Sequence, residues 1–286
     1  KPLPDHAISW FCSQEVKADD LKFIRDRMSI VQIYNYMRRQ IRETGMSGKE
    51  LLTTWADYLS MAQRFGMDTN DAIIYRVRKL RQRHDELVAR CNQKELTLRA
   101  GEVLKEYPNI ERIYESIKEI YGFTAEDYTV VVPSCIEEIM LEGEHLHHCV
   151  GGSERYWERI ERKESYVLFL RRTSDLQKSY YTLEIEPDGT VRQKRTMYDR
   201  QEADIEDAKK FLKKWQKEIS RRLTDEEREL AKTSRVLREQ EFAQLRENQV
   251  IINTGYLRGH LLVDVLMEDL METKEGATIP ALPAAA

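Results

Sequence analysis

The sequence predicts an α+β protein: a helical N-terminal region, a small antiparallel β-sheet flanked by helices, and a helical C-terminal extension. Three observations lead there. Apolar residues recur at helical spacing through the first third, for example Leu51, Leu52, Trp55, Tyr58, Leu59 and Ala62. Short β-branched and aromatic runs then cluster between residues 128 and 197, two of them joined by Asp188-Gly189. After residue 200 the pattern returns to helical, with Ile205, Ala208, Phe211, Leu212, Trp215 and Ile219 on one face.

Taken in order, Leu21, Ile24, Met28 and Val31 mark a first helix. Ser47-Gly48-Lys49-Glu50 is a capping box, in which serine and glutamate each satisfy a free backbone donor, and Gly66 is a stop. A long charged helix is expected from about Arg78 to Tyr107, with Leu80, Leu87, Val88 and Cys91 inward and Pro108 as its break. Ile110, Ile113, Tyr114, Ile117 and Ile120 give a further helix. Tyr128 to Pro133 reads as a strand. Ser134 is placed to cap the next helix, which carries Ile136, Ile139 and Met140 and should end at Gly143. Tyr156, Trp157 and Ile160 suggest a short helix. Strands are expected at Tyr166–Arg172, Ser179–Glu186 and Thr190–Met197. Thr224-Asp225-Glu226-Glu227 is a second capping box, opening a very charged segment that either packs back on the domain or forms an arm. This divides the chain into a helical region (1–122), a core with the histidine motif and hairpin (123–222), a charged helical extension (223–276) and a linker or expression remnant (277–286). The chain opens at Lys1 without Met, which leaves room for missing N-terminal residues.

Composition narrows the function classes. Charged residues make up 34% of the chain, against roughly 25% in ordinary domains. With 41% hydrophobic residues this favours solvated helices over disorder. A net charge of −4 argues against a generally basic nucleic-acid binder, leaving only local basic clusters such as Arg171-Arg172 and Arg192 to Arg195. The four cysteines lack CxxC spacing, which speaks against a zinc ribbon or a disulfide framework. No apolar run reaches membrane-spanning length. A cytoplasmic protein without membrane contact is the expectation.

The densest chemistry lies in Glu142-Gly143-Glu144-His145-Leu146-His147-His148-Cys149-Val150-Gly151-Gly152. Imidazole and thiol are the side chains most easily tuned to exchange protons or act as nucleophiles near neutral pH. If residues 147 to 150 are extended, His147 and Cys149 share a face and His148 points the other way. A cysteine nucleophile paired with His147 is then barely within reach. A zinc site at His145 and His147 lacks two identifiable ligands, and no metal or cofactor is expected. Cys149 is expected to fill a small core gap. His148 is expected to serve as acid/base or as donor to an anionic group.

The hairpin offers a second constellation. A two-residue turn at Asp188-Gly189, with both positions at positive φ, sets Pro187 against Thr190, Glu184 against Gln193 and Thr182 against Arg195. Paired side chains share a sheet face and lie roughly 5 Å apart at Cβ. One face thus gathers Thr182, Glu184, Gln193 and Arg195, either as a site or as a solvated outer face. Arg192 and Lys194 would then oppose Ile185 and Leu183 on the apolar face. Either their stems snorkel from an edge strand or a bulge shifts the register.

These residues resemble a family. Asp57-Tyr58-Leu59-Ser60-Met61-Ala62, His84-Asp85, Glu142-Gly143 with Leu146-His147-His148-Cys149-Val150, Tyr156, Leu170-Arg171, and Tyr181-Thr182-Leu183-Glu184-Ile185 with Gln193 are similar to the PcfJ-like proteins. The resemblance spans about residues 50 to 220. It implies a bacterial mobile-element setting: conjugative plasmids, integrated elements and phages. The chain departs from the family pattern after the hairpin, where Thr196 replaces a glycine and Asp199 stands near an asparagine position.

Two functions follow as expectations. The first is an enzyme acting on a phosphodiester or nucleotide, a hydrolase or transferase. His148 would be its acid/base, Glu184 would position a water or the histidine, and Gln193 and Arg195 would hold an anion. His147, Cys149, Tyr156, Arg171 and Thr182 would be supporting candidates. The second is a non-catalytic accessory that binds nucleic acid, or a protein of the DNA-transfer or phage machinery, through its charged helices.

Overall fold

The structure is a computed structural model that describes residues 4–273. The chain divides into two compact units, Lys1–Leu96 and Thr97–Ala286.

The first unit is helical: α1 (Asp5–Ser13), α2 (Ile30–Thr44), α3 (Gly48–Arg64), α4 (Ala72–Tyr75) and the start of α5 (Leu80–Glu106). Ser47 and Glu50 form the expected capping box at α3. Its apolar stripe, with Leu51 and Trp55 fully buried, enters a core shared with Ile33, Met37 and Leu80. The expected helix over Leu21 to Val31 does not form. A 3₁₀ turn (Ala18–Leu21) and further turns carry Leu21, Ile24 and Met28 into the core. Ser29 accepts from the Gln32 backbone N–H and starts α2 there, so Val31 falls on the outside of a different helix.

The second unit holds α6 (Ile110–Tyr121), β1 (Phe123–Ala125), β2 (Tyr128–Val131), α7 (Ile136–Leu146), α8 (Glu154–Glu161), β3 (Tyr166–Arg172), β4 (Tyr181–Ile185), β5 (Val191–Arg195), α9 (Ile205–Ile219), α10 (Asp225–Glu247) and α11 (Leu262–Asp269). The five strands form one antiparallel sheet in the order β1-β2-β3-β4-β5. With the flanking helices this is the α+β architecture read from the sequence. Strand β1 is not among the expected strands, because three residues carry too little period to register.

One sheet face carries Tyr166, Leu168, Leu170, Tyr181, Leu183 and Ile185, all at most 1% exposed. Helices α6 and α9 meet this face: Tyr121 packs on Tyr166, and Trp215 Nε1 donates to the Tyr121 carbonyl (2.8 Å). The opposite face carries Phe169, Arg171, Thr182, Glu184, Gln193 and Arg195. It is not the solvated surface allowed by the sequence, since α7, α8 and α10 cover it and every residue of β4 is buried.

The hairpin turn also differs from expectation. Gly189 N–H donates to the Glu186 carbonyl (2.8 Å) and Glu186 N–H to the Thr190 carbonyl (2.8 Å), so the loop has three residues, Pro187 to Gly189. Only Gly189 takes positive φ (85°). Glu186 therefore closes on Thr190, and Ile185 pairs with Val191. A bulge then inserts Arg192 and returns the register to Glu184–Gln193, Leu183–Lys194 and Thr182–Arg195. Two one-residue departures cancel, which is why the expected pairs form. The bulge turns Arg192 to the Glu184 face, where its Nε meets Glu186 (2.9 Å). Lys194 stays opposite Leu183 but does not snorkel: it is fully buried, with Nζ donating to the Asp269 carbonyl (2.6 Å).

Thr224 caps α10 as read, and the charged segment packs back onto the sheet. Arg238 reaches Glu186 (2.7 Å), and Ser234 Oγ donates to the Glu164 carbonyl (2.6 Å). The chain then returns along β5, where Val191 and Met271 exchange both backbone hydrogen bonds (3.0 and 2.8 Å). The tail assigned as a linker, residues 277–286, lies outside the described residues.

Candidate functional site

The histidine segment owes its path to two glycines. Helix α7 does not stop at Gly143; it continues to Leu146, and His147 takes the left-handed conformation (φ 52°) just past its end. His148 N–H donates back to the Gly143 carbonyl (3.1 Å). The chain then doubles over the helix so closely that a Cβ on Gly143 would collide with the Val150 carbonyl oxygen. Gly151 has φ 83°, and a Cβ there would lie 2.6 Å from Met140 Cα. Residues 147 to 150 are thus a turn, not an extended run, and His147 and Cys149 do not act as a pair. His147 instead stacks on Tyr198, ring centroids 4.8 Å apart.

The turn delivers His148 to the sheet. His148 Nε2 lies 2.9 Å from Thr182 Oγ1, which donates to Glu142 Oε1 (3.2 Å). A threonine hydroxyl has one proton, and the carboxylate can only accept it. The hydroxyl oxygen therefore accepts from His148 Nε2–H, which fixes the tautomer and leaves a lone pair on Nδ1. That atom is buried and has no hydrogen-bond partner among the described residues. Burial pushes the imidazole below its ordinary pKa, opposed by Asp199 and Glu142. His148 is accordingly a neutral base near pH 7. Glu142 is anchored in turn by Arg171, bidentate at 2.8 and 2.5 Å, and by Ser179 Oγ (2.7 Å). Arg171 is thus consumed by a buried ion pair and does not line the pocket.

Glu184 is also spoken for. Its Oε1 accepts from Arg159 Nη1 (2.8 Å) and Ser165 Oγ (2.7 Å), and its Oε2 from Gln193 Nε2 (2.8 Å). Burial works to raise its pKa, but Arg159, Arg192 and Ser165 outweigh burial and hold it below the ordinary value. Such a group stays an anion and does not carry protons. Arg195 Nε pairs with Asp269 (2.6 Å), and its Nη1 donates to the Asp199 carbonyl (3.2 Å). Cys149 is exposed rather than filling a core gap, and its Sγ faces the Tyr156 hydroxyl (3.9 Å). Although the residue as a whole is exposed, its sulfur is partly shielded beside Tyr156, and that desolvation, helped by Asp199, raises the thiol pKa, so it rests protonated.

His148, Cys149, Tyr156, Thr182, Glu184, Gln193 and Arg195 line one pocket, together with Asp199. Of the candidate residues named from the sequence, His147 and Arg171 stand outside it. The cavity measures about 40 Å³, room for a water. Tyr198 and Asp199 both have positive φ (56° and 59°), a conformation costly for residues other than glycine. Sequence reasoning missed Arg159 and Ser165, and it noted Asp199 only as a departure from the family pattern, with no role at the site. Arg159 carries a faint signal, an arginine on the otherwise apolar face of Tyr156, Trp157 and Ile160. No group of three or more metal-ligating side chains occurs among the described residues. No helix among them is long and apolar enough to cross a membrane.

These features define an α+β protein with a histidine held through threonine to a buried glutamate. A family model described as PcfJ-like protein matches residues 54–212, more than half the chain, and the chain belongs to that family. It is similar to the "Uncharacterized protein Lin1253/Lin1744" of Listeria innocua serovar 6a, 39% identical over 71 residues. That stretch covers 25% of this chain and 15% of the relative. No solved structure matches the chain.

Proposed function

We propose that the protein is an enzyme that hydrolyses or transfers a phosphoester of nucleic acid or nucleotide, with His148 as its acid/base. The observation that carries this reading is the unpartnered Nδ1 of a neutral, oriented histidine in a pocket. Nδ1 takes the proton of a water or hydroxyl as its oxygen attacks phosphorus, and the imidazolium returns a proton to the leaving oxygen as its bond breaks. The chain through Thr182 to Glu142 steadies the positive ring. Arg195 keeps Nη2 without a partner among the described residues and faces the developing negative charge. Glu184 holds the Gln193 amide in place and is a positioning residue. The substrate class rests on the family's expected setting in plasmids and phages, and the site of action would be the bacterial cytoplasm.

One observation favours the non-catalytic reading. Arg159, Arg171 and Arg192 are each matched by carboxylates, as in a structural network that supports a partner-binding surface. The test assays the purified protein and His148→Ala on a phosphodiester panel of DNA, RNA and nucleotides, with melting temperature on the same samples. Loss of turnover by about 10²–10⁴-fold at unchanged stability is expected. Full activity in the folded variant overturns the catalytic assignment. A wild-type protein inert on the whole panel that captures a partner through its charged helices makes the accessory role the better one.

A further inference from the structure

A second pocket, in the first unit, is lined by Gln32, Asn35, Tyr36, Arg39, Arg76 and Arg78 and measures about 320 Å³. Three arginines and no carboxylate are among its lining residues. None of the three makes an ion pair among the described residues. Arg39 Nε is shut off from solvent with no hydrogen-bond partner among the described residues. Concentrated like charge of this kind is unfavourable unless an anion offsets it.

The pocket is also held rigid from below. Gln32, Asn35, Tyr36 and Arg39 follow i, i+3, i+4, i+7 spacing and form one face of α2. The segment that carries Arg76 and Arg78 has no regular structure, yet buried side chains fix its backbone. Trp55 Nε1 donates to the Tyr75 carbonyl (2.8 Å) and Tyr36 Oη to that of Val77 (2.9 Å). Gln40, fully buried, donates to the Arg78 carbonyl (2.6 Å) and accepts from Leu80 N–H (3.1 Å). The exposed Arg76 and Arg78 are therefore presented from a clamped backbone, which lowers the ordering cost of binding.

We infer that this pocket binds the phosphate groups of a single nucleic-acid strand, independently of the chemistry at His148. Arginine forks match phosphate oxygens bidentately. Gln32 accepts with its carbonyl oxygen from Ser29, so its amide NH₂ is left as a further donor beside the exposed Asn35. The Tyr36 ring is buried, with Arg39 over it, and offers no platform for a base. Recognition is thus of the backbone and indifferent to sequence. A negatively charged chain can still bind a polyanion through such a local site, and the binding must weaken with salt.

The experiment measures fluorescence anisotropy of a labelled single-stranded DNA oligonucleotide with the full chain and with Arg76→Gln/Arg78→Gln. Both side chains are exposed, so the fold is not at risk. A control, Arg112→Gln/Lys118→Gln on α6, makes the same change in net charge at residues that do not line the pocket. The pocket variant is expected to bind about tenfold or more weakly. Its plot of log affinity against log salt should be shallower by about 1.4, or roughly 0.7 for each phosphate no longer neutralised. The control should match wild type. Equal binding by the pocket variant, an equal loss in the control, or no binding by wild type overturns the inference. Competition with inorganic phosphate and ATP separates the sources. Displacement only by excess supports a strand, whereas displacement by ATP as strong as by the oligonucleotide overturns the strand in favour of a free nucleotide.

Discussion

Gly143 lies so close beneath the Val150 carbonyl oxygen that no side chain fits between them. The approach is backbone on backbone, so neither partner can rotate away. Gly143→Ala must push the turn off α7, and His148, whose N–H bonds to the Gly143 carbonyl, moves with it. We expect a stability loss of about 1–3 kcal/mol, read by chemical denaturation, and a changed His148 ring signal by NMR. A wild-type melting curve and spectrum would contradict this account of the motif.

Thr182→Val keeps shape and removes one oxygen. His148 Nε2–H and Glu142 Oε1 both lose a partner in a buried place. The cost should be about 1–3 kcal/mol. The tautomer test is sharper: nitrogen NMR should show Nε2 protonated in wild type and a tautomer mixture in the variant. Protonation at Nδ1 in wild type would refute the assigned direction of the relay.

Glu184→Gln should damage the fold as well as the site. Its carboxylate is 3% exposed and meets Arg159 and Arg192, which the substitution leaves short of an anion. Breaking such a pair costs about 3–5 kcal/mol. A variant as stable as wild type would mean that the buried charges are matched by other groups.

Stability should depend on pH with opposite signs at two residues. The pKa of His148 is lowered in the fold, so its contribution is present above the unfolded value of about 6.5 and is lost as pH falls. Wild type should therefore lose its advantage over His148→Gln on acidification below that point. Asp269 is raised to about 6 by burial, in spite of Arg195 and Lys194. Its contribution is present at low pH and lost as pH rises through 6. Wild type should thus weaken relative to Asp269→Asn over that rise. Parallel pH profiles in either comparison would refute the corresponding assignment.

The pairing of Glu184 with Gln193 is legible in the sequence because a period-two pattern and a short turn together leave few registers. It is legible for an incomplete reason, since the Gly189 loop and the Arg192 bulge each shift the register and cancel. Gly143 reads from sequence as a helix stop, and it is not one. Glycine next to a helix end signals a turn in general, but here its purpose is set by Val150, seven residues on and meeting it only in three dimensions. Glu184 reads as outward-facing because strand alternation reports which face a residue takes, not what covers that face. The covering groups, Arg159 on α8 and Arg238 on α10, are fixed by tertiary packing. Nothing local in Ser165 or Asp199 announces the company they keep.

The exchange of hydrogen bonds between Val191 and Met271 has a consequence for inheritance of the core. Strand β5 carries Gln193 and Arg195, and without Met271 its outer rim would be an open template for another chain. Met271, like α10 and α11, lies beyond the segment that the family model matches. A relative that shares only the matched core must guard that rim by some other means or trade strands with its neighbours. The shared motif and its local guardian can therefore evolve at different speeds.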